Sequence, residues 1–279
     1  MPDASNSLKV AVITPYYKET DKTLMTCLES VAAQTAPCDH FMVSDGFPNA
    51  VVEKSGITHI RLPRAHADNG NTPRVLGGIS AFNLGYDAIA FLDADNWFEP
   101  AHVATMLALH HQTGAAVCTS NRFMHRGDGS FMFVDDKNDG NTHVDTSCFF
   151  LTAVCRPVLA KWSMMPRQLG PICDTIYLGS IKQHRLSLAH DATPTVRFRT
   201  TYEADFRRLG EPMPPDVKTL EMTMETIRWY KSLPLAQRRQ IRRQIGWPQG
   251  GLEPLQRRFE QLRRRFLATS GEPAGTRAA

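Results

Sequence analysis

The segment AIAFLDADNWFEP, from Ala88 to Pro100, carries an apolar run that ends in two carboxylates, Asp93 and Asp95, one residue apart. Such a pair offers hard oxygen ligands to Mg²⁺ or Mn²⁺, ions that commonly share their coordination with substrate phosphates. The same pattern also has a local explanation, because Asp favours turns and caps the helix that follows. The surrounding residues decide between these readings. Asp45 ends the run HFMVSDG, and Tyr16 and Tyr17 follow VAVITP. Arg74 follows the Asn/Gly-rich DNGNTP, and Asp174 lies in GPICDTIYLG. His190 ends RLSLAH, with His184 a rival six residues upstream. A lone histidine is a surface or core residue as readily as a ligand.

These groups need elements to hold them. Residues 8–14, 40–46, 57–63, 88–93 and 115–120 form short β-branched or apolar runs bounded by Pro, Gly or Asp, which predicts strands. Helical spacing of apolar residues predicts helices over 21–34, 72–86 and 99–113, the last with Pro100 in its first turn and Gly114 beyond its end. Alternation of this kind predicts an α/β fold with a mostly parallel sheet flanked by helices. Ligands of such sheets bind beyond the carboxyl ends of the strands, which gathers Tyr16, Asp45, Asp93 and Asp95 on one rim. A metal-bound diphosphate, a ring on the base and a carboxylate accepting a base N–H would suit that rim. Neither G-x-G-x-x-G nor G-x-x-x-x-G-K-[ST] follows the first strand, which excludes an NAD-type site and a P-loop.

The carrying segments VAVITPYYKE, FMVSDG, DNGNTPRVLGG, IAFLDADNWFEP and LGPICDTIYLGSI, in that order, resemble the family 2 glycosyltransferases of the GT-A fold over roughly residues 10–202. The resemblance implies a Rossmann-like GT-A domain over 1–213 and a nucleotide-diphosphate sugar donor, a UDP-sugar. Pro15, Tyr16 and Asp45 match positions that contact the base. Asn69, Gly70 and Arg74 match a loop lining the donor phosphates and sugar, which Asp93 also faces. Asp93 and Asp95 match the metal pair for Mn²⁺ or Mg²⁺, with His190 as a further ligand. Asp174 matches the catalytic base of an inverting transfer to a hydroxyl on a sugar, lipid-linked glycan or small molecule. This chain departs from the family where it has Ser44-Asp45 and Cys173-Asp174, since two acids are usual at each place. His143 and Asp145 fall in a region that faces the acceptor in this family, or else cap a turn. A sugar-nucleotide pyrophosphorylase and a non-catalytic sugar-nucleotide-binding scaffold are the rival readings; TPYYKET lacks the Gly-rich loop of the former.

The chain has 279 residues, 42% hydrophobic and 22% charged, which suits a globular enzyme. Its six cysteines are scattered and form no C-x-x-C pair, so reduced, packed thiols in a cytoplasmic protein are expected. No apolar run reaches the length of a membrane span, and the polar N-terminus has no signal-peptide core. Residues 135–141, DDKNDGN, lack the Gly and distal Glu of an EF-hand and read as a surface loop. From Asp216 onward there are 13 Lys/Arg against 6 Asp/Glu, whereas the remainder has 19 against 22. The basic excess therefore belongs to the C-terminal extension, 214–279, and the chain shows no nucleic-acid footprint. Val217, Leu220, Met224 and Ile227, then Leu252, Leu255, Phe259, Leu262 and Phe266, repeat at helical spacing. Arginines 257, 258 and 263–265 crowd the positions between the later group. That predicts a helical basic extension that packs on the core, joins a homodimer or lies peripherally on the inner face of a membrane. Its last residues, from about 271, read as disordered.

Overall fold

The computed structural model describes residues 8–248 and positions 256, 257, 259–261 and 264. Most of the predicted stripe between 252 and 266, and the end of the chain, lie outside the described residues.

The first half alternates as expected. Strand β1 (Val10–Tyr16) is buried throughout. Helix α1 (Asp21–Ala32) starts at Thr20, whose hydroxyl accepts from the Thr23 N–H, and turns Leu24, Cys27, Leu28 and Val31 inward. Strand β2 (Asp39–Ser44), the short helix α2 (Ala50–Lys54) and strand β3 (Thr58–Arg61) follow. Helix α3 (Asn71–Asn83) returns to β4 (Ala88–Phe91), and β5 (Trp97–Phe98) leads to α4 (His102–Thr113), which Gly114 ends in the left-handed conformation. β1 pairs in parallel with both β2 and β4, and β2 with β3. The carboxyl ends of β1, β2 and β4 therefore lie on one rim, as predicted.

The second half breaks the simple alternation. It comprises β6 (Val117–His125), β7 (Phe131–Val134), β8 (Phe149–Thr152), α5 (Arg156–Leu159), α6 (Cys173–Gln183) and β9 (Leu188–Arg199). The described strands form a sheet of order β3-β2-β1-β4-β8-β6-β9-β5, with β7 on β6. β8 inserts antiparallel between β4 and β6, so β6 does not pair with β4; its parallel partner is β9. The parallel part of the sheet is thus β3-β2-β1-β4 together with β6-β9.

Helices α7 (Glu203–Leu209), α8 (Leu220–Ser232) and α9 (Leu235–Ile245) follow, and the described positions from 256 to 264 are helical too. Ile227, Tyr230, Ile241, Ile245 and Trp247 belong to the same buried cluster as β1, β4, β8 and α6. The Ser180 hydroxyl donates to the Ile245 carbonyl at 2.6 Å, and Trp247 meets Tyr230 edge-on at 5.3 Å. The extension up to residue 248 is therefore packed on the sheet and α6, the first of the roles predicted for it. All six cysteines are free, and among the described residues no helix is long and apolar enough to cross a membrane.

Candidate active site

The rim carries the predicted residues in two groups. The first surrounds the acid pair. Arg74 rises from the first turn of α3, 2% exposed, and its guanidinium lies 2.6 Å from the Asp93 carboxylate. The same side chain bonds Asn71 Oδ1 at 3.2 Å and stacks over Trp162 at 4.7 Å. Gly70, at φ +74°, sets the turn before it. A Cβ there would stand 3.0 Å from the Pro15 ring and 3.2 Å from the Arg74 guanidinium, so the glycine lets Pro15 and Arg74 close on each other. Asn69 is exposed but packs against Gly170, the turn that leads into α6. Pro15, Gly70, Arg74 and Asp93 therefore form one contiguous cluster, with Asn69 linking it to the α6 entrance.

Asp95 is open to solvent, yet it sits among protein groups that displace much of its hydration. That loss, and next the negative charge of Asp93, pushes its carboxyl up to about 7; Lys218 opposes the shift. Arg74 offsets part of the pair's charge at Asp93, and the two carboxylates still offer oxygen ligands that suit a divalent cation. The described residues contain no group of three or more His, Cys, Asp or Glu arranged to hold a metal. Two carboxylates completed by substrate phosphates remain a sufficient set for Mg²⁺ or Mn²⁺. His190 is not assembled with Asp93 and Asp95 in such a group. Its register in β9 sets it beside Thr119, whose hydroxyl is 2.9 Å from Nδ1, and its ring packs on Gly140. His184 caps α6, with Nδ1 2.8 Å from the Ser180 carbonyl.

At the end of β2, Asp45 is 3% exposed. One carboxylate oxygen accepts from the His66 N–H at 2.8 Å and faces His66 Nδ1 at 3.1 Å; the other accepts from the Ala67 N–H at 2.8 Å. The approach of that loop demands Gly46, at φ +82°, because a Cβ would come within 2.4 Å of the Ala65 nitrogen. Tyr16 is buried, and its hydroxyl bonds His59 Nε2 at 2.8 Å and accepts from the Asn49 N–H at 3.0 Å. The more open aromatic surface beside Asp45 is the pair Tyr17 and Phe47, edge to face at 4.9 Å, with the Lys18 ammonium over both rings.

The second group surrounds Asp174, which stands in the first turn of α6. There the helix dipole favours its negative charge. One of its oxygens accepts from the Thr175 N–H at 2.6 Å, and the other lies 3.7 Å from His143 Nδ1. Cys173, just before it, is raised in pKa first by burial and then by Asp174, and it also feels Arg74 and Asp93, so the two groups are electrostatic neighbours. Asp174 and His143 line a cavity of about 140 Å³ that also takes in Tyr202, Lys218 and Phe259. Asp145 does not line it. It is buried, caps the turn before β8 through the Ser147 N–H at 3.0 Å, and lies 2.5 Å from the Arg122 guanidinium.

Residues 11–157 match the family model described as Glycosyl transferase family 2, just over half of the chain. The chain belongs to this family. It is a nucleotide-sugar glycosyltransferase of the GT-A fold. Solved structures with the same fold are distant in sequence. S. aureus TarS 1-349 in complex with UDP is 14% identical, with a TM-score of 0.54, covering 98% of this chain and 94% of that one. TarS 1-349 in its other crystal structure is 15% identical at a TM-score of 0.53, covering 85% and 70%. The mannosyltransferase PcManGT from Pyrobaculum calidifontis, in complex with GDP-Man and Mn²⁺, is 11% identical at 0.51, covering 72% and 59%. No curated protein sequence matches the chain significantly.

The sequence did not single out Lys218, Tyr202 or Phe47. Lys218 sits after the Pro-rich EPMPPDV, which reads as a linker. It is fixed by its N–H to the Thr201 carbonyl at 2.7 Å and by its carbonyl to the Glu203 N–H at 3.1 Å. Its ammonium lies 5.6 Å from the Tyr202 ring centre.

Proposed function

We propose that this family 2 enzyme is a metal-dependent, inverting transferase that moves a sugar from a UDP-sugar to a hydroxyl acceptor. One observation carries the reading: a carboxylate in the first turn of a helix, Asp174, lines a cavity near an acid pair of which Asp93 is partnered by Arg74. Asp93 and Asp95 would hold Mn²⁺ or Mg²⁺ together with donor phosphates, and the bound ion supplies charge neutralisation to the departing diphosphate. Arg74, Gly70, Asn69 and Pro15 orient the phosphates and sugar. Asp45 retains acceptor capacity on the oxygen that takes only the Ala67 N–H, which suits a base N–H. Tyr16 shapes the floor of that base site from beneath.

Asp174 takes the proton from the acceptor hydroxyl as its oxygen bonds to the anomeric carbon. The bond from that carbon to the diphosphate breaks on the opposite face, which inverts the configuration. The Thr175 N–H fixes one oxygen of that carboxylate, and His143 lies 3.7 Å from the other. His190, on its strand beside Thr119, would join the metal only through a movement of β9 or the loop at Gly140. The domain from 1 to 213 carries the donor chemistry, and the extension from 214 braces it. Exposed Arg239, Arg242 and Arg243 on α9, which has no acidic residue, support a peripheral contact with an anionic membrane face. Six free cysteines fit the reducing cytoplasm.

The test is a panel of nucleotide sugars scored for Mn²⁺-dependent thermal stabilisation, since a ligand that binds the native state raises its melting point. Stabilisation by one UDP-sugar, lost in Asp95→Ala, is the expected result. Stabilisation that persists unchanged in Asp95→Ala, or that ignores the metal, removes the metal from the reading. Slow metal-dependent hydrolysis of the same donor separates a transferase from a binding scaffold.

A further inference from the structure

Arg74 is a buried ion with few partners for its charge. Its side chain is 2% exposed. One nitrogen meets Asp93 at 2.6 Å and another meets Asn71 Oδ1 at 3.2 Å, while Nε has no hydrogen-bond partner among the described residues. Asp93 is 31% exposed, so water screens the one carboxylate that faces the guanidinium. Burial of a charge on these terms is costly. Ring faces supply what is missing. The guanidinium carbon lies 4.7 Å from the ring centre of Trp162 and 5.8 Å from that of Phe91. An aromatic face carries negative potential, strongest for tryptophan, and so holds a desolvated guanidinium where an aliphatic wall would not.

The indole is itself held on several sides. Trp162 is fully buried in the turn that follows α5. It stacks on Tyr177 of α6, with ring centres 4.3 Å apart and planes at 26°, and meets Phe91 of β4 edge-on at 6.0 Å. Tyr177 in turn meets Phe149 of β8 edge-on at 5.5 Å. Two strands and a helix therefore fix the ring on which Arg74 rests. Tyr177 lies one turn beyond Asp174 on α6, so the stack Arg74–Trp162–Tyr177 runs from the acid pair to the helix that carries Asp174. Trp162 stands beyond residue 157, where the family match ends.

We propose that Trp162 is a positioning residue of the donor site: its indole face sets the plane of the Arg74 guanidinium and keeps it turned toward Asp93 and the donor diphosphate. The proposal rests on the transferase reading and adds to it a residue that acts through Arg74 alone. A tryptophan that only filled the core would support the fold without any particular tie to Arg74.

Calorimetric titration of the full chain with UDP and with GDP, each in the presence of Mn²⁺, tests it on wild type, Trp162→Leu, Arg74→Met and the double variant. Trp162→Leu should weaken nucleotide binding about tenfold, the size of one desolvated cation–π contact. Trp162→Phe keeps a ring face and should stay within about threefold of wild type. In the Arg74→Met background, Trp162→Leu should change the affinity by less than about twofold, because the contact it removes is already gone. An equal loss in both backgrounds is what core filling alone would give, and it overturns the proposal, as does unchanged affinity in Trp162→Leu. Should Trp162→Leu not fold, Trp162→Phe carries the same cycle, with a loss of about threefold against wild type and none against Arg74→Met. A wild type that binds neither nucleotide overturns the transferase reading and this proposal with it. Nucleotide binding without coupling between Trp162 and Arg74 overturns this proposal alone.

Discussion

Metal binding should switch on between pH 6 and pH 8, and Asp95 sets that window. Its carboxyl stands at about 7, against about 3.9 for a free Asp side chain. Loss of hydration comes first among the causes, then Asp93, then the more distant Glu19 and Asp145, with Lys218 pulling the other way. A divalent ion needs the carboxylate, so protons compete with it below pH 7. The ionised fraction is about one tenth at pH 6 and about nine tenths at pH 8 for a pKa near 7. Apparent Mn²⁺ affinity should therefore fall about tenfold from pH 8 to pH 6. The stability of the metal-free protein has the opposite sign. A carboxyl raised in the folded state favours that state while protonated, fully so below about pH 4, and the contribution is lost as pH rises through 7. The melting-point gain on adding Mn²⁺ should thus grow across the same interval in which the apo protein weakens. Calorimetric Mn²⁺ titrations at pH 6, 7 and 8 measure the effect on wild type and Asp95→Asn. Lys218→Met, which removes the opposing cation, should move the midpoint to higher pH. An affinity flat from pH 6 to 8, or a profile unchanged in Asp95→Asn, would refute the reasoning.

Asp174→Asn keeps the side-chain shape and removes the proton acceptor; transfer should slow by about 10²–10⁴-fold with donor binding intact, and near-normal turnover would exclude it as the base. Arg74→Met should cost about 2–3 kcal/mol in urea denaturation, below the usual range for breaking a buried pair because Asp93 is 31% exposed. A loss under about 0.5 kcal/mol would show that the pair does not hold the site. Trp247→Ala should cost about 3 kcal/mol if the extension shares the core, and an unchanged denaturation midpoint would mean that it does not.

The first half was legible because parallel strands buried on both faces leave continuous apolar runs, and their polar ends mark the rim. Val10–Tyr16, Asp39–Ser44 and Ala88–Phe91 all carry that mark, and so Tyr16, Asp45 and Asp93 could be placed on that rim. The place of β8 was not legible. Phe149–Thr152 reads as a buried strand whatever its neighbours, and only tertiary packing sets it antiparallel between β4 and β6. Residues 135–141 misled by composition. Asp135 and Asn138 are buried, the first bonded to Arg122 and the second to the Ser120 carbonyl, although the stretch reads as a surface loop. His190 was read at the end of a strand, but it is the third residue of β9, and its partner there depends on the β6–β9 register, which periodicity does not encode. The stripe on α8 announced a helix without naming its destination, and so Ile227 could be assigned a face but not the core it joins.

The acid pair and the cavity at Asp174 share a buried polar scaffold that fixes where Asp93 stands. The Ser147 hydroxyl accepts from the Asp93 N–H and from Asn96 Nδ2, each at 3.1 Å, and this fixes the turn between Asp93 and Asn96 from below. Ser147 is itself held by Asp145, whose carboxylate lies against Arg122 and whose N–H donates to Asn138 Oδ1 at 2.7 Å. Arg122 in turn lines the cavity that Asp174 faces. Buried ion pairs of this kind add little net stability, because desolvation offsets most of their attraction. Their value here is geometric. In-line transfer needs the hydroxyl oxygen and the anomeric carbon within a few tenths of an ångström of their reacting positions, and rates fall steeply with misplacement. In the proposed reaction, the Arg122–Asp145 ion pair and the hydrogen bonds that run from Asp145 through Ser147 to Asp93 would tie the position of the leaving group to that of the nucleophile. On that reading the polar residues buried between the two sites position the reacting groups, even though neither Asp145 nor Ser147 need touch a substrate.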